Sequence, residues 1–244
     1  MFDRSSMTWL GVEDFFNYYL PGLLWSANIY FSLTLFSPSL ISNAATTFEK
    51  VDQLILAAIA LLLPYTIGII ASFLGSIVHN VDKVLLGTPE EYVLNSEKKK
   101  GIGKMKFGSS LGKSLTRQIQ KIATSKFGSD LSSSSLYFNV HYSLQFSPFP
   151  RVQSHVARLT NLMNLHEGLI PPIIIGSIFA FLASRQLHLV ELNIIGVVLL
   201  IMALGLWNRY HYLREVRAKH VYRYFLLWQT IGKETENEIK KDIH

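Results

Sequence analysis

The sequence predicts a mainly α-helical fold, an integral membrane four-helix bundle with a cytoplasmic insert that contains at least one β-strand. The first observation is composition: 49% of the 244 residues are hydrophobic and only 16% are charged, against about 25% charged in a typical soluble domain. The second is that four apolar stretches approach the roughly 20 residues that a membrane-spanning helix needs. Together they argue against a disordered chain and an ordinary soluble enzyme.

The apolar stretches divide the chain into membrane and cytoplasmic segments. One stretch carries no charged residue over 25 positions, and the last two are separated by a link short enough to predict an antiparallel hairpin. The predicted spans are 18–36, 54–78, 168–183 and 192–207. The segments are 1–78 (an N-terminal arm and two spans), 79–167 (a basic cytoplasmic insert), 168–207 (the hairpin) and 208–244 (a basic cytoplasmic helix and tail).

Basic residues are concentrated on one side of the predicted spans. Twelve Lys and Arg residues lie between Val78 and Gly168, and eight follow Trp207, so 20 of the 23 fall on that side. Because Lys and Arg accumulate in cytoplasmic loops, we expect this side to face the cytoplasm. The sequence therefore predicts a bacterial inner-membrane protein with both termini in the cytoplasm.

The insert contains two segments that are predicted to contact a membrane surface or a partner. Leu111, Leu115, Ile119 and Ile122 recur at helical spacing, which predicts an amphipathic helix whose basic residues are Lys113, Arg117 and Lys121. Between Leu136 and Phe146 apolar and polar residues alternate, a period-two pattern typical of a strand. Such a strand needs a partner for its edges, so we expect contact with a sister subunit or another protein. The predicted membrane-surface or partner contacts are Lys113, Arg117, Lys121, Phe138, Val140, Tyr142, Arg158 and Asn161.

Small side chains recur at every fourth position of the second span. Such a face lets helix backbones approach closely in lipid, either within one chain or between subunits of an oligomer. The face consists of Ala60, Pro64, Gly68, Ser72 and Ser76. Asn28 lies near the middle of the first span, where an amide needs a hydrogen-bond partner. It predicts either an interhelical hydrogen bond or part of a polar ring that lines an oligomeric pore.

Arg158, Asn161 and Asn164 share one helix face next to the third span. An arginine there can bind a lipid phosphate or a carboxylate. The two alternatives are a site for a lipid headgroup or solute, and a solvated face at the end of the helices.

One short motif suggests an enzymatic alternative. Arg214 precedes His220 in an Arg- and His-rich stretch, which resembles the Arg-x4–6-His motif of the HEPN ribonuclease superfamily. In that superfamily the pair meets in a dimer cleft, so the resemblance implies a membrane-anchored ribonuclease. The competing interpretation is a basic helix that meets anionic lipid headgroups at about 1 kcal/mol per Lys or Arg.

Metal and thiol chemistry find no support in the sequence. The chain has no cysteine, which excludes disulfides, thiolate metal sites and cysteine nucleophiles. Its eight histidines show no ligand spacing with carboxylates. We expect no cofactor, no metal and no catalytic residues.

The order of short motifs along the chain supplies a resemblance. Leu20-Pro21-Gly22 opens the first span, Tyr65 and Gly68 lie in the second, and a soluble insert, a proline-started hairpin and an Arg-rich tail follow. In this layout the chain resembles small four-span inner-membrane proteins of bacterial antiviral defence operons, such as the membrane subunit of the Kiwa system. The resemblance implies an oligomer that pairs with a soluble partner and senses infection or disturbs the membrane. It carries over no site residues.

From these features we expect an oligomeric inner-membrane sensor, scaffold or pore-forming component of a bacterial antiphage defence system. The expected partners are sister subunits, a cytoplasmic protein and anionic lipids, with nucleic acid at most an indirect partner. The alternatives are the HEPN-like ribonuclease and a lipid- or solute-handling membrane protein.

Overall fold

A computed structural model describes residues 15–49, 51–94, 111–128, 132–147 and 149–242. The start of the predicted N-terminal arm and residues 95–110 of the insert lie outside the described residues. The described chain forms two compact units. Unit 1 comprises residues 1–80 and 163–210, and unit 2 comprises residues 81–162 and 211–244.

The described residues are helical almost throughout. A π-helical turn, Phe15–Tyr19, leads directly into the first helix. The helices are α1 (Leu20–Phe36), α2 (Pro38–Phe48), α3 (Gln53–Leu86), α4 (Pro89–Tyr92), α5 (Lys113–Phe127), α6 (Ser133–Gln145), α7 (Pro150–Leu187) and α8 (Val190–Asp242).

Three of these helices, α3, α7 and α8, are long and apolar enough to cross a membrane. The predicted four-helix bundle is therefore wrong in its number of spans. The difference lies in α1, which has 17 residues and at 1.5 Å per residue is about 26 Å long, less than the roughly 30 Å of a bilayer core. Only 17% of the apolar window of α3 and 11% of that of α8 are buried. Exposing so much apolar surface to water is unfavourable, so these helices belong in lipid.

The predicted β-strand is also wrong, because 133–145 forms α6. The Ser132 hydroxyl caps α6 by accepting a hydrogen bond from the Ser135 N–H at 3.1 Å. The alternating pattern contains Tyr137, Val140 and Leu144 at the three- and four-residue spacing of a helix face, and all three are buried in unit 2. Among the described residues no strand is present to pair with this segment, so packing of that face decides for the helix.

The hairpin predicted over 168–207 is present, with longer helices than expected. α7 extends back to Pro150 and α8 extends forward to Asp242. His188 makes the connection in the left-handed region, with φ of 55°. The Ser184 hydroxyl donates to the Leu189 carbonyl at 2.8 Å, which holds the end of α7 at the start of α8.

In unit 1, α1 packs closely and antiparallel against α3. A Cβ added at Gly22 would come within 1.7 Å of the Pro64 carbonyl oxygen, and one at Gly68 within 1.8 Å of the Tyr18 carbonyl oxygen. These backbones touch because neither glycine has a side chain. Elsewhere in the unit, the Ser177 hydroxyl of α7 donates to the Gly196 carbonyl of α8 at 2.7 Å.

Unit 2 has an ordinary hydrophobic core. Its α5 and α6 turn their apolar residues toward α8, where Val221, Tyr222 and Phe225 are fully buried. The predicted amphipathic helix is confirmed in α5, since Ile119 and Ala123 are fully buried.

Candidate functional site

A buried ionic cluster lies in unit 2, where α8 meets the end of α3 and α4. The Arg214 guanidinium donates from Nη1 to Asp82 at 2.5 Å and from Nη2 to Glu90 at 2.9 Å. Arg214 and Asp82 are both 0% exposed and Glu90 is buried. One guanidinium can join two carboxylates because its donors lie in a planar fork.

Neighbouring groups complete this cluster. His211 Nδ1 lies 3.1 Å from Asp82 Oδ2, and the Tyr222 hydroxyl donates to the Glu90 carbonyl at 3.1 Å. Arg217 Nη2 reaches Glu90 Oε1 at 3.5 Å. The ion pairs of Arg214 with Asp82 and Glu90, which are excluded from solvent, hold these helix segments together.

Sequence reasoning missed Asp82 and Glu90. The available signal was the appearance of Asp82 just after the long uncharged stretch of α3, together with the spacing of three between His211 and Arg214. That spacing places both side chains on one face of α8, where a buried acidic partner is required.

The structure does not bring the ribonuclease-like pair together. The Arg214 guanidinium is occupied by Asp82 and Glu90. The His220 ring instead packs against His155, with ring centroids 4.8 Å apart, and against Tyr224. Burial, with His155 and Arg223 nearby, lowers the pKa of His220. In this arrangement Arg214 has no accessible surface with which to contact an RNA phosphate.

One face of α6 leaves a row of aromatic side chains exposed. Phe138 and Tyr142 of α6, and Phe146 directly after its last residue, are 67%, 62% and 67% exposed, and their spacing of four residues places them on one side. The Tyr142 and Phe146 rings meet edge to face at 5.1 Å. We call these three residues the aromatic stripe. Val140 was predicted to share this contact surface, but it is fully buried on the opposite face.

The basic side of α5 is exposed as the sequence predicts. Lys113, Arg117 and Lys121 all face solvent, opposite the buried Ile119 and Ala123. We call these three residues the basic face. On α7, Arg158 is exposed and Asn161 is half-buried.

The predicted small-residue face of the second span divides into two groups. Pro64 and Gly68 are buried against the start of α1. Ala60, Ser72 and Ser76 are exposed instead. The tightly packed face continues through Ala71, Gly75 and Val78, because helix contacts recur at alternating steps of three and four rather than strictly at four.

Asn28 makes an interhelical hydrogen bond within unit 1. Its Nδ2 donates to the Pro172 carbonyl on α7 at 2.7 Å. The hydrogen-bond interpretation of Asn28 is therefore confirmed for the single chain.

In the described part of the chain, no group of three or more His, Asp or Glu side chains could hold a metal ion. Tyr137, which lies in the core of unit 2, has a phenol whose pKa burial raises to about 12. It therefore stays protonated at neutral pH and offers no base.

Comparisons with family models, curated proteins and solved structures found no match for this chain.

Proposed function

We propose that this protein is an oligomeric inner-membrane scaffold of a bacterial antiphage defence system, which recruits a soluble protein to the cytoplasmic face. Its membrane helices anchor it, and its unit 2 presents the docking surface. The observation that carries this proposal is the aromatic stripe on α6.

The stripe is unusual for a surface that meets only water. Each phenylalanine or tyrosine can bury about 150–250 Å², and aromatic residues are enriched where protein partners bind. Tyr137, Val140 and Leu144 on the other face of α6 already supply the core of unit 2. The stripe is thus not needed for folding and is available for a partner.

The neighbouring charge favours an acidic partner. The basic face of α5 belongs to the same unit and is exposed. A soluble protein with an apolar groove flanked by Asp and Glu would complement both features. The basic residues would also interact with anionic lipid headgroups at about 1 kcal/mol each.

The proposed orientation places the insert and the tail in the cytoplasm. Helices α3, α7 and α8 each cross once, so the residues between α3 and α7 emerge on the same side as those after α8. That side holds 20 of the 23 Lys and Arg residues, as cytoplasmic segments do. Three crossings leave the residues just before α3 on the opposite side, so the proposal assigns only the insert and the tail to the cytoplasm.

The defence role is the part of the proposal that rests on the resemblance to membrane subunits of antiviral operons. The scaffold role is supported further by the buried ion pairs of Arg214 with Asp82 and Glu90, which fix how the helix segments of unit 2 pack.

The test is the mass and composition of the complex extracted in mild detergent from the native host. Wild type is expected to elute as a homo-oligomer with one soluble protein in fixed stoichiometry. Replacing the stripe, as F138S/Y142S/F146S, is expected to remove the soluble protein while the chain stays in the membrane fraction.

The matched control is Leu227→Ser, which changes another exposed apolar residue of unit 2. It should leave the complex intact. A monomeric wild type, or a stripe variant with unchanged partner content, would rule out the scaffold. Loss of the homo-oligomer itself in the stripe variant would show that the stripe binds a sister subunit instead.

A further inference from the structure

A polar cavity lies in unit 1 at the end where α1 and the apolar part of α7 begin. Its volume is about 130 Å³, room for a small ion with a few waters at about 30 Å³ each. The polar side chains that line it are Asn17, Tyr18, Ser72, Asn164 and Glu167. Each of these five side chains carries an oxygen atom, and one of them, Glu167, is a carboxylate.

Prolines release backbone carbonyls around this cavity. Pro21 has no N–H and cannot make the α-helical hydrogen bond to the Asn17 carbonyl. Pro171 and Pro172 likewise cannot donate to the carbonyls of Glu167 and Gly168. The three residues whose carbonyls lose this donor, Asn17, Glu167 and Gly168, all line the cavity.

The turn that carries Asn17 is itself irregular. Residues 15–19 form a π-helical turn, a feature that is frequent at functional sites. The side-chain Oδ1 of Asn17 is buried, and no donor among the residues that the structure describes reaches it. Burying this oxygen without a hydrogen-bond donor or a cation leaves the cost of its desolvation uncompensated.

The Glu167 side chain accepts a hydrogen bond beside the cavity. Tyr210 donates its only hydroxyl hydrogen to Glu167 Oε2 at 3.1 Å. His79 Nδ1 lies 3.0 Å from the same hydroxyl, within hydrogen-bond distance. This chain from His79 through Tyr210 fixes the carboxylate beside the cavity.

We propose that this cavity is a binding site for a small monovalent cation, held by the Glu167 carboxylate and by the amide oxygens of Asn17 and Asn164. One carboxylate matches one positive charge, whereas divalent sites usually recruit several carboxylates. Carbonyls from interrupted membrane helices coordinate sodium in the same manner. The chemistry fits an alkali metal ion or the primary ammonium of a lipid headgroup. This site is independent of the docking surface on α6.

The test is thermal unfolding of the full chain in detergent at constant ionic strength, with sodium, potassium or N-methylglucamine chloride. Binding stabilises the folded state, so sodium or potassium should raise Tm by about 3 °C over N-methylglucamine. Glu167→Gln and Asn17→Ala should abolish that rise. Asn164→Ala should reduce it, and as an exposed position it leaves the test intact if Glu167→Gln does not fold.

The control is Ser76→Ala, one helical turn after Ser72. The Ser76 hydroxyl donates to the Phe73 carbonyl of its own helix. It should keep the full rise. A rise with ethanolamine and phosphatidylethanolamine, absent with sodium and potassium, would assign the ammonium headgroup. Equal Tm in all salts with no response to ethanolamine, an undiminished rise in Glu167→Gln, or a response to calcium or magnesium alone would overturn the proposal.

Discussion

Arg214 and Asp82 form an ion pair that is excluded from solvent, with Nη1 and Oδ2 2.5 Å apart and both residues 0% exposed. The pair joins residues 132 positions apart in the sequence, one at the end of α3 and the other in α8. Because the second carboxylate, Glu90, contacts the same guanidinium, Arg214 sets the packing of three helices within unit 2.

Removing Arg214 should destabilise the protein strongly. In Arg214→Met, Asp82 and Glu90 lose their shared cation, and a buried uncompensated charge costs about 3–5 kcal/mol. Arg214→Lys should fall between this variant and wild type, because an ammonium lacks the fork that reaches both carboxylates. Chemical denaturation in detergent measures the effect. Arg223→Met, an exposed site on the same helix, should change stability by less than about 0.5 kcal/mol, and an equal loss there would refute the argument.

Adding a methyl group where α1 meets α3 should separate the two helices. In Gly68→Ala the new Cβ would lie 1.8 Å from the Tyr18 carbonyl oxygen, and backbone cannot yield as a side chain tip does. We expect a loss of about 3 kcal/mol or more in unfolding free energy. Gly205→Ala is the matched control, since nothing lies within 4 Å of its added Cβ. It should stabilise α8 by about 0.5–1 kcal/mol, and a similar loss in both variants would contradict the packing.

The Asn28 amide should contribute a modest, measurable stabilisation. Asn28→Ala removes the donor to the Pro172 carbonyl, and membrane-helix hydrogen bonds average about 0.6 kcal/mol. Thr34→Val is the control, because the Thr34 hydroxyl donates within its own helix, to the Tyr30 carbonyl. Tm in detergent should fall for the first variant and stay near wild type for the second. If Asn28→Ala left Tm unchanged, the amide would have to serve another purpose, such as lining an oligomeric pore.

Stability should decrease as the pH falls below about 6.5. Burial lowers the pKa of His141 and His220, with Arg217 adding to the effect at His141. The unfolded chain therefore binds protons at a higher pH than the folded chain, so stability is complete above 6.5 and is lost as the pH falls through the folded values. Tm of H141N/H220N should fall less than wild type between about pH 7.5 and about pH 5.5.

His188→Asn provides the control for this pH dependence. His188 is exposed in a left-handed conformation that asparagine also tolerates. Its variant should keep the wild-type pH dependence. A pH profile that is identical in H141N/H220N and wild type would show that other groups cause the loss of stability at low pH.

Local sequence patterns predicted much of the membrane part and failed in the insert. The uncharged run before Val78 and the hairpin near His188 needed no tertiary information, because length and apolar composition alone decide whether a helix can enter lipid. The same criterion wrongly predicted a span at 18–36, because α1 ends before Ser37 after only 17 residues. At 136–146 the alternating pattern fitted a strand, but burial of Tyr137, Val140 and Leu144 on one side selected a helix.

The sequence by itself determined that this is a membrane protein with a basic insert, since composition and charge distribution act through solvent and lipid without reference to fold. Only the tertiary structure decided which polar residues meet. Asp82 reaches Arg214, and Glu167 joins Asn17 at one cavity, across separations that no local spacing encodes. Those contacts arise because long helices bring distant segments side by side, and buried charges and amides then select the few partners within reach.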